Sequence, residues 1–243
     1  MNCTVGIIGF GRFGRLMARY LAADFPVRGH DPAVPDEVVR AAGAEPDSFE
    51  AAAAADVVAL AVPISSLEQV LRRAGRCLKP GSLLIDVCSV KELPVEWMRR
   101  AVPDSVDLLG THPMFGPDSA ADSLQGRKIV VCPVRIAPAR LAVLTGYLKS
   151  KGLQVIETSA DEHDRQIAVS LALTHFIGRT LGAMAAKPLE IDTEGYKRLL
   201  RILEVVENDT WQLFEDMHRF NRYAGDARRR FLQAAGAIDE KLG

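Results

Sequence analysis

Residues 5–14 read Val5-Gly6-Ile7-Ile8-Gly9-Phe10-Gly11-Arg12-Phe13-Gly14, an apolar run followed by glycines in the spacing G-x-G-x-x-G. An apolar strand that passes through this spacing into a helix is typical of dinucleotide-binding sheets: the first glycine makes the turn, the second lets the backbone approach a pyrophosphate, and the third lets helix and strand pack closely. The helix N-terminus then offers N–H groups and a partial positive charge to that pyrophosphate. A glycine-rich turn that serves packing alone is the alternative. The predicted cofactor-binding residues of this stretch are Gly9, Phe10, Gly11, Arg12, Phe13 and Gly14.

The next predicted strand ends at Asp31, 20 residues after Gly11. At this position a carboxylate accepts hydrogen bonds from the adenosine ribose hydroxyls and repels a 2′-phosphate. NAD is therefore favoured, although the nearby Arg28 keeps NADP possible, and Asp31 could instead only begin a turn with the proline that follows it. Val62 and Pro63, at the end of the third predicted strand, complete the predicted cofactor site.

Short β-branched runs alternate with helical stretches over the first two thirds of the chain. This alternation predicts an α/β fold with a doubly wound parallel sheet, and the continuously apolar runs are typical of strands covered on both faces. After Thr158 the strand signal stops, and the rest is almost wholly helix-compatible. The sequence predicts two domains, a dinucleotide-binding domain at 1–158 and a smaller all-helical domain at 159–243. The predicted strands are 4–9, 27–31, 56–62, 83–87, 106–111, 129–132 and 153–157.

Composition and charge exclude several classes of function. The chain has 243 residues, 48% of them hydrophobic and 25% charged, so it is not mainly disordered. Its 30 basic and 31 acidic residues nearly cancel, which argues against nucleic acid or a membrane surface as a partner. The start shows no basic leader, and no apolar run approaches the roughly 20 residues that span a bilayer. We expect a cytoplasmic protein with a small-molecule substrate, whose four separated cysteines form neither a metal site nor a disulfide.

Two polar segments follow the fourth and fifth predicted strands, one from Asp86 to Lys91 and one from Gly110 to Asp118. Because ligands bind beyond the carboxyl ends of strands in open α/β sheets, both should lie at the same edge as the glycine loop. The proline after His112 disfavours helix at that histidine, so the backbone there is extended and the imidazole has a defined position. A histidine at this position, opposite a dinucleotide loop, favours a catalytic role for His112.

Each of these polar residues also has a structural interpretation. His112 could be a structural histidine, and Ser89 could simply cap a helix that begins near Val90. Lys91 could be a surface charge in the first turn of that helix.

Together these residues resemble the prephenate/arogenate dehydrogenase family. The resemblance covers nearly the whole chain in order, and its helical part looks like the plant-like arogenate branch. It implies a Rossmann domain joined to a helical dimerisation domain, hence a homodimer. It also implies oxidative decarboxylation of prephenate or arogenate with NAD or NADP in tyrosine biosynthesis. The matching segments are GFGRFG at 9–14, SVK at 89–91, THPMFGPDS at 111–119, EHD at 162–164, LTHFIGRTLG at 173–182 and the stretch from IDT at 191–193 to NRYA at 221–224.

The resemblance also implies roles for single residues. The family's catalytic histidine falls on His112 and its active-site serine on Ser89, and both would also contact substrate. The acidic position six residues beyond the histidine falls on Asp118, which would orient a polar group or a water. The family's two lobe histidines match His163 and His175. His175 would bind substrate, although a core histidine is an equal alternative, whereas His163 fits a structural role better. The substrate-binding arginine falls on Arg198 or Arg201, of which we favour Arg201.

Other functions remain open at this stage. A 4-amino-4-deoxyprephenate dehydrogenase would have the same fold. Another oxidoreductase with a helical lobe, of the β-hydroxyacid dehydrogenase or imine reductase type, lacks the HPMFGP block. A non-enzymatic NAD-sensing protein would not need both Ser89 and His112. Gly178 and Gly182, four apart on one helix face, predict close approach of another helix, from a second subunit or from the same chain.

Overall fold

The computed structural model describes residues 3–243, which form two compact units divided between Ala160 and Asp161. The division lies two residues beyond the predicted boundary at 158/159. The strands are β1 Val5–Ile8, β2 Val27–His30, β3 Glu45–Pro46, β4 Val57–Leu60, β5 Leu83–Asp86, β6 Asp107–Pro113, β7 Lys128–Arg135 and β8 Gln154–Glu157. The helices of the first unit are α1 Arg12–Leu21, α2 Asp36–Ala41, α3 Phe49–Ala53, α4 Ile64–Ala74, α5 Glu92–Ala101 and α6 Pro138–Ser150.

The strands of the first unit form a single sheet in the order β3-β2-β1-β4-β5-β6-β7-β8. Neighbouring strands from β3 to β6 run parallel, which confirms the predicted doubly wound α/β architecture. The sheet is not wholly parallel, however, because β7 runs antiparallel to β6 and β8 runs parallel to β7. A parallel crossover needs a covering connection such as a helix, and residues 114–127 between β6 and β7 contain none.

The centre of the sheet is built from apolar strands buried on both faces. All four residues of β1 are buried, as expected for an inner strand of a sheet covered by helices. Helix α1 is amphipathic and buries Leu16 and Ala18. The side chain of Phe10 is fully buried in the core cluster between β1 and β2. This packing fixes the glycine loop, which joins β1 to α1, at the carboxyl edge of the sheet.

The second unit is helical. Its helices are α7 Ala160–Ile167, α8 Leu173–Ala183, α9 Glu194–Glu207, α10 Trp211–Arg219 and α11 Ala224–Leu242, and a π-helical turn at Ala168–Ala172 joins α7 to α8. Gly178 faces α9 so closely that a Cβ on it would lie 2.6 Å from Cγ2 of Val206. The close helix approach predicted from Gly178 and Gly182 is therefore made within one chain. Over residues 3–243, no helix has the length and apolar character needed to cross a membrane.

Candidate functional site

The three glycines of the loop differ in backbone conformation and in the space around them. Gly9 adopts a φ of +97°, a left-handed conformation that side chains disfavour. A Cβ on Gly14 would lie 2.1 Å from the carbonyl oxygen of Gly9, so this position admits only glycine. A Cβ on Gly11, by contrast, would have no atom within 4 Å. Gly11 is the N-cap of α1, and the open space beside it suits a pyrophosphate at the helix N-terminus.

Asp31 connects the end of β2 to the glycine loop. Its Oδ2 accepts a hydrogen bond from the Phe10 N–H at 2.8 Å, and its Oδ1 accepts one from the Ala33 N–H at 2.9 Å. The carboxylate therefore both begins a turn and lies beside the loop, so the two interpretations of Asp31 are compatible. Only the backbone of Phe10 is available at the glycine loop, because its ring is buried. Arg28 forms an ion pair with Asp47 at 3.4 Å.

The segment that follows β6 lies along helix α1. Arg12 forms an ion pair with Asp118, and the rings of Phe13 and Phe115 have centroids 6.2 Å apart. The hydroxyl of Tyr20 donates to the carbonyl oxygen of Ala120 at 2.9 Å. The structure thus places Asp118 beside the first turn of α1.

Val62 and Pro63 follow β4 on the other side of the glycine loop. A Cβ on Gly9 would lie 3.0 Å from Cγ1 of Val62. Pro63 is the N-cap of α4. Both predicted residues therefore lie at the carboxyl edge of the sheet.

Ser89 follows β5, and His112 lies near the end of the neighbouring strand β6, at this edge. Asp86, the last residue of β5, pairs with Gly110 of β6. Ser89 comes three residues after Asp86 and His112 two residues after Gly110, so both lie just beyond this pair. His112 is 6% exposed. The Oγ of buried Ser89 has no hydrogen-bond partner among the described residues. The alternative that Ser89 caps a helix is wrong, because α5 begins at Glu92 and Lys91 is its N-cap residue.

Lys91 is the residue that the sequence interpretation missed. It is fully buried, with its ammonium paired to the equally buried carboxylate of Asp86. The surface-charge interpretation of Lys91 is therefore wrong. The sequence did carry a signal, since Asp86 ends an apolar strand five residues earlier. A lysine that close to such a carboxylate can turn inward to pair with it.

The second unit contains the remaining predicted residues. His163 Nδ1 lies 2.7 Å from Oδ1 of buried Asp164, and this contact fits its structural interpretation. His175 is 4% exposed, and its Nδ1 has no hydrogen-bond partner within residues 3–243. Arg198 and Arg201 are both exposed on α9, so the preference for Arg201 stays a prediction. No group of three His, Cys, Asp or Glu residues suited to a metal ion occurs in the described chain.

Acid should destabilise the protein through His175. Burial, with a smaller contribution from Arg179, lowers the pKa of His175 to about 4, whereas an imidazole in an unfolded chain titrates near 6.5. Between these values the unfolded chain binds a proton that the folded chain does not, so the stabilising contribution is complete above about pH 6.5 and is lost as the pH falls towards 4. The loss is on the order of 3 kcal/mol.

Urea unfolding at pH 7.5 and pH 4.5, followed by circular dichroism, measures this contribution. The decrease in the free energy of unfolding between the two pH values should be smaller in His175→Gln than in the wild type. Equal decreases in both proteins would contradict the assignment to His175.

Comparison with known protein families gives two matches. Residues 33–157 match the family model described as the nucleotide-binding domain of prephenate dehydrogenase. Residues 180–243 match the model described as a TYRAAT1-like C-terminal domain. The first match includes Ser89, His112 and Asp118, and the second includes Arg198 and Arg201.

Individual relatives match almost the whole chain. Arogenate dehydrogenase 2, chloroplastic, of Arabidopsis thaliana is 30% identical over 257 residues, which covers 98% of this chain and 69% of that protein. A probable arogenate/prephenate dehydrogenase of Methanocaldococcus jannaschii is 29% identical over 255 residues, covering 98% of this chain and 56% of the relative. The crystal structure of prephenate dehydrogenase from A. aeolicus with hydroxyphenyl propionate and NAD+ superposes with a TM-score of 0.80 at 20% identity, over 100% of this chain and 91% of the other. At this identity the structural match shows a shared fold.

Proposed function

Because this chain belongs to the prephenate/arogenate dehydrogenase family, we propose that it catalyses the oxidative decarboxylation of a cyclohexadienol, prephenate or arogenate, in tyrosine biosynthesis. The product is 4-hydroxyphenylpyruvate from prephenate or tyrosine from arogenate. One observation carries the proposal: the buried hydroxyl of Ser89, which has no hydrogen-bond partner within residues 3–243, lies at the same sheet edge as His112 and the glycine loop. A buried hydroxyl without a partner is costly, and a substrate hydroxyl would satisfy it.

The cofactor that we propose is NAD, which accepts a hydride when bound. Gly9, Gly11 and the N-terminus of α1 would hold its pyrophosphate. Asp31 would accept hydrogen bonds from the adenosine ribose, and its negative charge disfavours the 2′-phosphate of NADP. Arg28, the residue that kept NADP possible, is engaged by Asp47, which also favours NAD.

His112 and Ser89 would handle the proton of the substrate hydroxyl. As the C4–H bond breaks and its electron pair leaves with the hydride, neutral His112 accepts the C4–O–H proton, with the Ser89 hydroxyl in the same hydrogen-bond chain. The bond between C1 and the ring carboxylate then breaks, carbon dioxide leaves, and its electrons make the ring aromatic. His112 returns the proton to the phenolate oxygen, so no net proton is consumed. Burial of both side chains excludes water from this transfer.

Substrate contacts beyond this pair follow the resemblance. We propose Asp118, His175 and Arg201 as further substrate-binding residues, with the arginine holding a carboxylate by a bidentate pair. His175, with a pKa of about 4, would act there as a neutral hydrogen-bonding group.

Steady-state kinetics with prephenate and arogenate, each with NAD and with NADP, test the proposal. We expect carbon dioxide release with at least one of the two substrates and a higher kcat/KM with NAD. If the protein turned over 4-amino-4-deoxyprephenate but neither prephenate nor arogenate, its reaction would be the dehydrogenation of that related substrate. Binding of NAD without turnover of any cyclohexadienol would contradict the enzymatic proposal and favour an NAD-sensing protein.

We also propose a homodimer formed through the C-terminal helices of the second unit. Helix α11 has 19 residues but buries only Ala224 and Ala227, and its exposed apolar residues include Leu232 and Ile238. A helix packed over so little of its length is marginal in water, so a second copy would stabilise it. The four cysteines lie far apart in the sequence and form no C-x-x-C pair, which fits the cytoplasmic location that we propose.

Leu232→Glu/Ile238→Glu should shift the protein from dimer to monomer, because each change places a charge in the proposed apolar interface. Light scattering after size-exclusion chromatography measures the mass. Gln233→Glu, an exposed polar position on the same helix, is the control and should leave the dimer intact. A monomeric wild type would refute the dimer.

A further inference from the structure

Lys91 lies in the same connection as Ser89, between β5 and α5, and contacts β6, the strand that contains His112. It follows Ser89 by two residues, and it is fully buried although it precedes the first turn of α5. The proton transfer proposed above does not use it. A buried lysine at the carboxyl edge of the sheet therefore needs an explanation of its own.

The contacts of Lys91 join the end of β5 to β6. Its ammonium is paired with the carboxylate of Asp86 and donates a hydrogen bond to the carbonyl oxygen of Thr111 at 2.5 Å. Thr111 Oγ1 in turn donates to the carbonyl oxygen of Asp86 at 2.6 Å. The N–H of Cys88 donates to Asp86 Oδ1 at 2.9 Å. Thr111 immediately precedes His112, and Cys88 immediately precedes Ser89, so one network reaches the backbone next to both residues.

This network is a poor way to gain stability. Burying an ion pair costs several kcal/mol of desolvation for each ion, and apolar residues of similar volume are often equally or more stabilising. Asp86 Oδ2 also has no hydrogen-bond partner among the described residues, which adds to that cost. Directional polar contacts between β5 and β6 do, however, fix the geometry of the backbone on either side of them. Apolar packing does not fix it in this way.

We propose that Lys91 is a positioning residue that, through Asp86 and Thr111, fixes Ser89 and His112 relative to one another for proton transfer. This inference rests on the proposed function. Lys91 acts through these partners because its ammonium is engaged by the Asp86 carboxylate and the Thr111 carbonyl. Misplacing a reacting group by about 1 Å can cost about 100-fold in rate, so the network matters for kcat more than for substrate binding.

The double variant Asp86→Asn/Lys91→Met removes both buried charges together and leaves no unpaired ion. We expect kcat to fall about 10- to 100-fold, with KM and the dissociation constant of NAD changed by less than about 3-fold. Thr111→Val breaks the hydroxyl contact at nearly constant volume and should lower kcat in the same way by a smaller factor. If the double variant does not fold, Thr111→Val alone tests the positioning role. Lys79→Met, at an exposed lysine ahead of β5, is the control and should leave kcat unchanged.

A second readout does not depend on turnover. The ring signals of His112 in ¹H–¹³C NMR spectra, assigned with His112→Asn, should move in the double variant or in Thr111→Val and stay in place in Lys79→Met. If the wild type turns over no cyclohexadienol, the proposed function fails and these signals alone decide the role of Lys91. The positioning role is overturned by a wild-type kcat with unmoved His112 signals, or by equal losses of kcat, NAD affinity and thermal stability, which would indicate a structural role only.

Discussion

His112→Asn should lower kcat by about 10²- to 10⁴-fold, because asparagine cannot accept the proton that the substrate hydroxyl must lose. NAD affinity should stay within about 2-fold of the wild type, since His112 lies in β6 and the proposed cofactor contacts lie on the glycine loop and Asp31. Steady-state kinetics and a fluorescence titration with NAD measure the two effects separately.

His218→Asn is the matched control for this change. His218 is a half-buried histidine of α10 that has no proposed role in the reaction, and its pKa is lowered to about 4, mainly by burial. The same substitution there should leave kcat within a few-fold of the wild type. Near-normal turnover by His112→Asn would remove the general-base role.

Gly11→Val should weaken NAD binding by about 100-fold, which corresponds to about 2.8 kcal/mol, and leave the fold intact. Gly11 has a φ of −60° and a ψ of −167°, which other residues adopt, and a Cβ there meets no protein atom within 4 Å. Valine would instead occupy the space that a pyrophosphate needs. Isothermal titration calorimetry measures the affinity, and thermal unfolding checks the fold.

Gly146→Val provides the comparison, because Gly146 on α6 also has open space around it and lies outside the glycine loop. It should bind NAD normally. If Gly11→Val also bound NAD normally, the glycine loop would serve packing alone, as the alternative interpretation of residues 9–14 holds.

The cofactor side of the fold was predictable because it depends on local sequence. The apolar run before Gly9 and the glycine spacing determine a strand, a turn and a helix within ten residues, and the structure contains all three. The strand before Asp31 follows the same logic. Local patterns of this kind need no knowledge of distant residues.

The direction of β7 was not predicted, although the sequence held a signal for it. Residues 114–127 contain Gly116, Pro117 and Gly126 and no helical periodicity. A connection without a helix favours an antiparallel return over a parallel crossover. Two-residue β3 was also missed, since its Glu45 and Pro46 carry no strand pattern of their own.

The polar contacts of the site were the least predictable part. Arg12 and Asp118 are 106 residues apart in the chain, and no local pattern pairs them. The burial of Lys91 depends on Asp86, on Thr111 of the next strand and on the late start of α5. Sequence alone gives the residue types at the sheet edge, whereas their partners depend on the packing of several elements at once.

The π-helical turn at Ala168–Ala172 changes the angle around the helix axis that separates His163 from His175. In a continuous α-helix, the 12 residues from His163 to His175 would turn the second ring about 120° from the first, at about 100° per residue. A π-helical turn accommodates roughly one residue more than an α-helical turn, so the angular offset shrinks to roughly 20°. The two buried imidazoles are therefore expected on nearly the same side of the helix formed by α7, the π-helical turn and α8. In a relative with an unbroken helix here, the equivalent histidines would be expected 11 positions apart.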